Sequence, residues 1–206
     1  MDSELITVNT EEIHVDLSIH RWKKVALTVT VNPGGGATEK DVEIELSTET
    51  IQISGSDIAL EQVGDTINLG TINLADYDAN TTLTFAIPTF EGVTNDSGET
   101  EVDVKLTFQG LAVREITVED FEITGVPEGY EAEIVTEKLV IRVRGPVGTV
   151  SKLTARDMVV GVDFTGEEAG DATIRVTVTF SDKFEGLGVL GKPSVTTSLK
   201  EIIEEG

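Results

Sequence analysis

Alternation of apolar and polar positions is the dominant pattern along this chain. Val102, Val104, Leu106 and Phe108 alternate with Asp103, Lys105 and Thr107. Leu139, Ile141 and Val143 alternate with Val140, Arg142 and Arg144, and Ile174, Val176, Val178 and Phe180 alternate with Arg175, Thr177 and Thr179. Near the start, Ile13, Val15, Leu17 and Ile19 do the same against His14, Asp16, Ser18 and His20. A period of two sends successive side chains to opposite faces, so each stretch predicts a strand with one buried and one wet face. On this reading Arg142 and Arg144 face water. Helical signals are few and short. Asp57 is placed to cap a turn carrying Leu60 and Val63 with Gly64 at its end, and Val147, Val150 and Leu153 are spaced three apart. Neither segment is long enough to hold alone, so both are expected to dock on a sheet. Clusters at Asn32–Gly36, Tyr77–Asn80, Asn95–Gly98, Gly125–Gly129 and Gly166–Gly170 predict turns.

The two helical turns each follow an alternating strand and a glycine, Gly55 and Gly145, which lie 145 − 55 = 90 positions apart. A gap-free shift by that amount pairs Ile51 with Ile141, Ile53 with Val143, Leu60 with Val150 and Val63 with Leu153. It goes on to pair Leu69 with Val159, Ile72 with Val162 and Leu74 with Phe164. After a slip of one residue, Leu83, Phe85 and Ile87 fall on Ile174, Val176 and Val178. Matching glycines, turns and strand order predict two tandem copies of one mainly β domain, each with one or two short helical turns. The expected division is a leader strand or remnant of an upstream domain over residues 1–24, a diverged copy over 25–110 and a second copy over 111–206.

Composition narrows the functions available. The chain has 206 residues with no cysteine, which removes disulfides, thiolate metal sites and cysteine nucleophiles. Its net charge is −23, so a nucleic-acid backbone or an anionic lipid surface would be repelled. The charge is uneven: residues 1–110 carry 5 basic and 20 acidic side chains, whereas residues 111–206 carry 10 and 18. Between Lys40 and Lys105 lie 14 acidic residues and no Lys or Arg. Self-repulsion on this scale predicts that the melting temperature rises between low salt and ~0.5 M NaCl as the charges are screened; a flat or falling curve would contradict it.

Candidate chemistry is sparse. Gly186-Leu-Gly188-Val-Leu-Gly191 spells G-x-G-x-x-G, but Lys192-Pro193 and an alternating Val195, Thr197, Leu199 follow it, so it reads as a turn into a last strand and not as a dinucleotide site. Asp76-Tyr-Asp78-Ala-Asn80 begins like a calcium loop but has Thr81 and Ile87 where an EF-hand needs glycine and glutamate. A weak non-EF calcium site there, or among Asp163, Glu167, Glu168 and Asp171, stands as the alternative to solvated turns. His14 and His20 are six residues apart on one strand face, roughly 20 Å, too far to share an ion. No nucleophile elbow, P-loop or zinc-protease motif is present, and aromatics make up only 5% of the chain, against a sugar-binding cleft. Accordingly no catalytic, cofactor-binding or metal-binding residue is assigned, and the chain is read as a non-enzyme.

The second copy runs through Phe121-Glu-Ile-Thr-Gly-Val-Pro-Glu-Gly-Tyr130, Leu139-Val-Ile-Arg-Val-Arg-Gly-Pro146, Val150-Ser-Lys-Leu153 and Val162-Asp-Phe-Thr165. It ends in Gly186-Leu-Gly-Val-Leu-Gly191 and Val195-Thr-Thr-Ser-Leu199. That order resembles the YbbR-like domain, with Gly55, Ile72-Asn-Leu74 and Ala86-Ile-Pro88 in the corresponding places of the first copy. The resemblance covers residues 25–201 and implies a mostly β fold similar to a domain of L25-type ribosomal proteins. It also implies a parent protein anchored in a bacterial cytoplasmic membrane by an N-terminal helix, with tandem domains outside the cytoplasm. Its best-known members regulate the membrane-bound diadenylate cyclase that makes cyclic di-AMP, by protein–protein interaction and without a cofactor. The anchor is expected to lie in a segment absent here, and this chain itself is not expected to insert in a membrane. The other reading is a structural spacer or adhesive repeat of a bacterial surface protein.

Overall fold

The computed structural model describes residues 21–202, so the alternating segment Ile13–Ile19, with His14 and His20, lies outside the described residues. From Arg21 the chain forms β1 (Arg21–Asn32), β2 (Val42–Leu46), β3 (Thr50–Gly55), α1 (Asp57–Val63), β4 (Thr66–Asn73), β5 (Thr81–Ala86), β6 (Val93–Asn95) and β7 (Glu101–Phe108). It continues through β8 (Leu111–Val118), β9 (Glu122–Thr124), β10 (Tyr130–Ile134), β11 (Leu139–Pro146), α2 (Val147–Val150), β12 (Met158–Asp163), β13 (Gly170–Arg175), β14 (Thr177–Phe180), β15 (Gly188–Val189) and β16 (Ser194–Glu201). The protein is mainly β, two tandem β-rich units with short helices.

Among the described residues no sheet mixes strands from the two sides of Gly110. The first unit has sheets in the orders β4-β1-β3-β6 and β2-β7-β5; the second has β10-β16-β13, β15-β11-β8 and β14-β12-β9. These are one topology written twice. In the first unit the long β1 pairs antiparallel with β3 through residues 21–26 and parallel with β4 from Ala26 onward. In the second, the same path is broken at Glu119-Asp120-Phe121: β8 pairs antiparallel with β11, and β9 pairs parallel with β12. One continuous sheet is thereby split into two smaller ones.

Period-two patterning sets the cores. Val102, Val104 and Leu106 are buried against β2 and β5, and Ile141, Val143, Val150, Leu153, Val162 and Phe164 form the centre of the second unit. Both predicted helical turns are present and do dock, through Leu60 and Val63 in α1 and Val150 in α2. The cap of α1 differs from the expectation: Ser56, not Asp57, is the N-cap, and its hydroxyl accepts from the Ala59 N–H at 3.3 Å.

The repeat register needs two corrections. The ladders match Leu83, Phe85 and Ile87 with Ala172, Ile174 and Val176, not with Ile174, Val176 and Val178. A second departure lies in β4. Leu69 is buried, but its expected partner Val159 is 50% exposed; the buried residue is Val160. Beside β1, the step from Thr28 to Thr30 faces the step from Asn68 to Thr71, so β4 carries one residue more. A bulge of this kind returns the alternation to phase one residue late. The shift of 90 therefore holds on its far side, at Ile72 with Val162 and Leu74 with Phe164, which are all buried.

One surface carboxylate is strongly perturbed. Asp157 accepts from the Lys183 ammonium at 2.6 Å and from the N–H and hydroxyl of Thr154, which together hold its pKa down at about 2. Because the folded value lies below the ordinary ~3.9, the stabilisation is complete above pH ~4 and is lost as pH falls through about 2. A carboxyl-carbon NMR titration is expected to place the inflection near 2, and Lys183→Ala to move it up toward the ordinary value; an inflection already near 4 in the native chain would overturn the assignment.

Candidate functional site

A dense polar construction lies where the two units meet. Its first wall is built by a tight turn: β1 runs into Pro33, Gly34 and Ala37 then exchange backbone hydrogen bonds of 3.0 and 3.1 Å, and Gly35 and Gly36 between them have φ of 56° and 72°. Two consecutive positive φ values are what a type I′ turn requires, and glycine meets them without a Cβ clash. The second wall is the 3-10 turn Leu74–Asp76 at the end of β4, running on to Tyr77. Together these loops aim four carbonyl oxygens, those of Gly34, Gly35, Leu74 and Tyr77, at one point.

Arg144 of β11 occupies that point. Its Nε donates to the Gly35 carbonyl at 2.8 Å, Nη1 to Tyr77 at 2.5 Å, and Nη2 to both Gly34 at 2.9 Å and Leu74 at 2.8 Å. The guanidinium carbon lies 4.4 Å from the centroid of the Phe108 ring. The residue is 1% exposed, which overturns the expectation that it faces water. Its face of β11 does point away from the second unit's core, but the loops of the first unit cover it. Burial pushes the guanidinium pKa down while the Asp41 charge opposes, and an arginine starts so high that it stays cationic at physiological pH. Because its partners are carbonyl dipoles, no titratable group has to hold a proton for the contact to form.

The surrounding contacts are close. A Cβ on Gly188 of β15 would lie within 1.9 Å of the Gly36 backbone nitrogen, and one on Gly36 within 2.1 Å of the Arg144 carbonyl oxygen. The Gly191 N–H donates to the Ala75 carbonyl at 3.2 Å, and Leu190 is buried beside Gly35. At the rim, Arg142 forms an ion pair with Asp78, both about half exposed. Such a pair is worth about 0–1 kcal/mol, whereas the buried guanidinium with four acceptors dominates the junction.

These placements settle where the sequence-derived candidates sit. Gly186–Gly191 does run through a short strand toward β16, and its Gly188 is a contact glycine of the junction. Asp76, Asp78 and Asn80 do not converge: Asn73 reaches Asp76, Arg142 takes Asp78, and the Asn80 side-chain oxygen accepts the Phe108 N–H. Asp163 accepts from the Thr165 N–H and hydroxyl and has its pKa lowered by them, while Glu168 and Asp171 are exposed. Among the described residues no group of three or more metal-binding side chains gathers, and no helix is long and apolar enough to cross a membrane.

No family model matches the chain, and no curated protein matches it. Three solved structures are similar to it. A Streptococcus thermophilus protein in solution has 19% identity and a TM-score of 0.36, covering 46% of this chain and 92% of its own. The crystal structure of a YbbR-like domain from Listeria monocytogenes has 17% identity and a TM-score of 0.33, covering 45% of this chain and 99% of its own. A YbbR-like protein from Streptococcus pneumoniae has 9% identity and a TM-score of 0.29, covering 92% and 100%. Overlap at these scores is too loose to assign a role to any residue. The last two carry the name of the family that the motif order of residues 121–199 resembles.

Proposed function

We propose that this chain is a non-enzymatic protein-interaction module in which two β units act as one rigid body. The observation that carries this reading is the Arg144 junction, which ties backbone of one unit to a side chain rooted in the sheet of the other. A displacement or torque applied to one unit is passed to the other only if the joint between them is stiff, and a buried cation whose three nitrogens are all hydrogen-bonded is stiff.

The finer reading concerns the setting. In its parent protein, anchored in a bacterial cytoplasmic membrane, the module lies outside the cytoplasm and regulates a membrane-bound diadenylate cyclase through protein contact. Support for this comes from the ordered motifs of residues 121–199, a warrant by resemblance. The test is the cyclic di-AMP level in cells co-expressing the full-length parent with its host's cyclase, against the parent lacking both units. A change that requires the units supports regulation. No change, with both proteins present in the membrane, removes the cyclase and leaves the second reading, a surface spacer, which the same stiff junction would serve.

A further inference from the structure

The two units differ where the chain leaves the fifth strand of the fold. In the second unit it turns after Arg175 into β14, which pairs with β12 from Met158 to Gly161, and Phe180, Phe184 and Leu187 then lie against the core. In the first unit the matching ladder contacts place Pro88 opposite Thr177, the first residue of β14, and it has no N–H to give to such a pairing. Ile87 donates to the Thr100 carbonyl at 2.9 Å, as Val176 does to Pro193 at 3.1 Å, but beyond Pro88 the chain returns directly to β6. No strand equivalent to β14 follows in the first unit, and a cleft of about 190 Å³ lies beside Ile87 and Pro88. Its walls are Ile51, Ile53, Ile67, Ile87, Phe90 and Val93, with Asn95, Glu99 and Thr100 at the mouth.

Size and charge together say what fits. A dry apolar cavity of about 150 Å³ holds a benzene ring, so this cleft takes one aromatic or branched aliphatic side chain, not a helix. Glu99 lines the cleft, and Glu91, Asp96 and Glu101, each next in sequence to a lining residue, are exposed as well, within a 64-residue stretch between Lys40 and Lys105 that has no basic side chain. We propose that this cleft receives a single apolar side chain, phenylalanine or leucine, presented by a lysine- or arginine-rich extended segment of another protein. The assignment rests on the protein-interaction reading above, whose surface and partner chemistry it names, and it does not depend on the cyclase.

The test is an NMR titration of the full chain at ~0.15 M salt, where charges more than about 8 Å apart are largely screened, with three short synthetic peptides. One has a central phenylalanine flanked by lysines, one the same flanks with a central alanine, and one a central phenylalanine flanked by glutamates. Saturable shifts at Phe90, Val93 and Thr100 are expected for the first, with binding at least about tenfold tighter than for either control. Thr100→Phe, at the exposed mouth, is expected to erase the preference for phenylalanine over alanine, and Glu99→Lys to weaken the lysine peptide. If Thr100→Phe does not fold, the peptide panel and Glu99→Lys decide. Equal binding of the phenylalanine and alanine peptides, shifts that map elsewhere, or no saturation would overturn the proposal. So would cleft resonances that move on dilution, which assign the cleft to a second copy, or on removal of residues 1–20, which assign it to this chain's own N-terminus. A negative titration alongside a cyclase effect in cells sinks this inference alone; a positive titration without one leaves it standing.

Discussion

Replacing Arg144 with alanine is expected to cost about 3–5 kcal/mol and to free the second unit from the first. Breaking a buried charged contact by removing one partner sits in that range because the other partners stay behind. Here the groups left are the carbonyls of Gly34, Gly35, Leu74 and Tyr77, each costing about 1–3 kcal/mol if it stays dry. Water entering an opened junction offsets part of that sum, which is why the range is lower than four full penalties. Arg144→Lys is expected to recover only part of the loss. An ammonium has three donors on one nitrogen, whereas the four carbonyls are arranged around the planar fork of a guanidinium, over the Phe108 ring. Arg142→Ala and Asp78→Ala, at the exposed rim, are expected to change stability by less than about 1 kcal/mol. Calorimetry and residual dipolar couplings read the outcome: one cooperative transition and one alignment tensor in the native chain, two of each in the alanine variant. An Arg144→Ala protein that melts as a single unit within a few degrees of the native one, with unchanged couplings, would show that the junction is held by something else.

The alternation of residues makes the strands and most of the core legible in the sequence, because a half-buried strand must repeat with the pleat. Leu106, Ile141 and Phe164 are buried as that pattern requires. Arg144 was not legible in this way. The period reports which face of a strand a residue is on, but not what covers that face, and the cover here comes from loops 67–110 residues away in sequence. A usable signal was present in the repeat itself. The shift of 90 puts Arg144 opposite Ser54, so a long cation stands in the second unit where the first has a short side chain. The same holds for the cleft, where Pro88 stands against Thr177. Differences between copies marked the sites, while similarities marked the fold. The bulge in β4 escaped for the opposite reason: a gap-free shift cannot register one inserted residue.

Gly188→Ala and Gly36→Ala are expected to open the same junction from its backbone side, each costing about 3 kcal/mol or more. At Gly188 the added methyl would meet the Gly36 nitrogen at 1.9 Å, and at Gly36 it would meet the Arg144 carbonyl oxygen at 2.1 Å. Both obstacles are backbone atoms, so no rotamer change relieves them and the units must separate. Gly36 has φ of 72° in addition, which adds about 1–2 kcal/mol for a residue with a Cβ, so its variant is expected to be the worse of the two. Gly34→Ala is the control: its methyl would approach the Ala75 Cβ at 3.3 Å, a contact that a few tenths of an ångström relieve, and less than about 1 kcal/mol is expected. Because Gly188 and Arg144 close one joint, their effects should not add. Once Gly188→Ala has parted the units, the carbonyls around Arg144 are already wet, so the further change to alanine is expected to cost little. A double variant whose loss equals the sum of the single losses would mean that the glycine contact and the guanidinium act independently, and that the two units are not held by one cooperative joint.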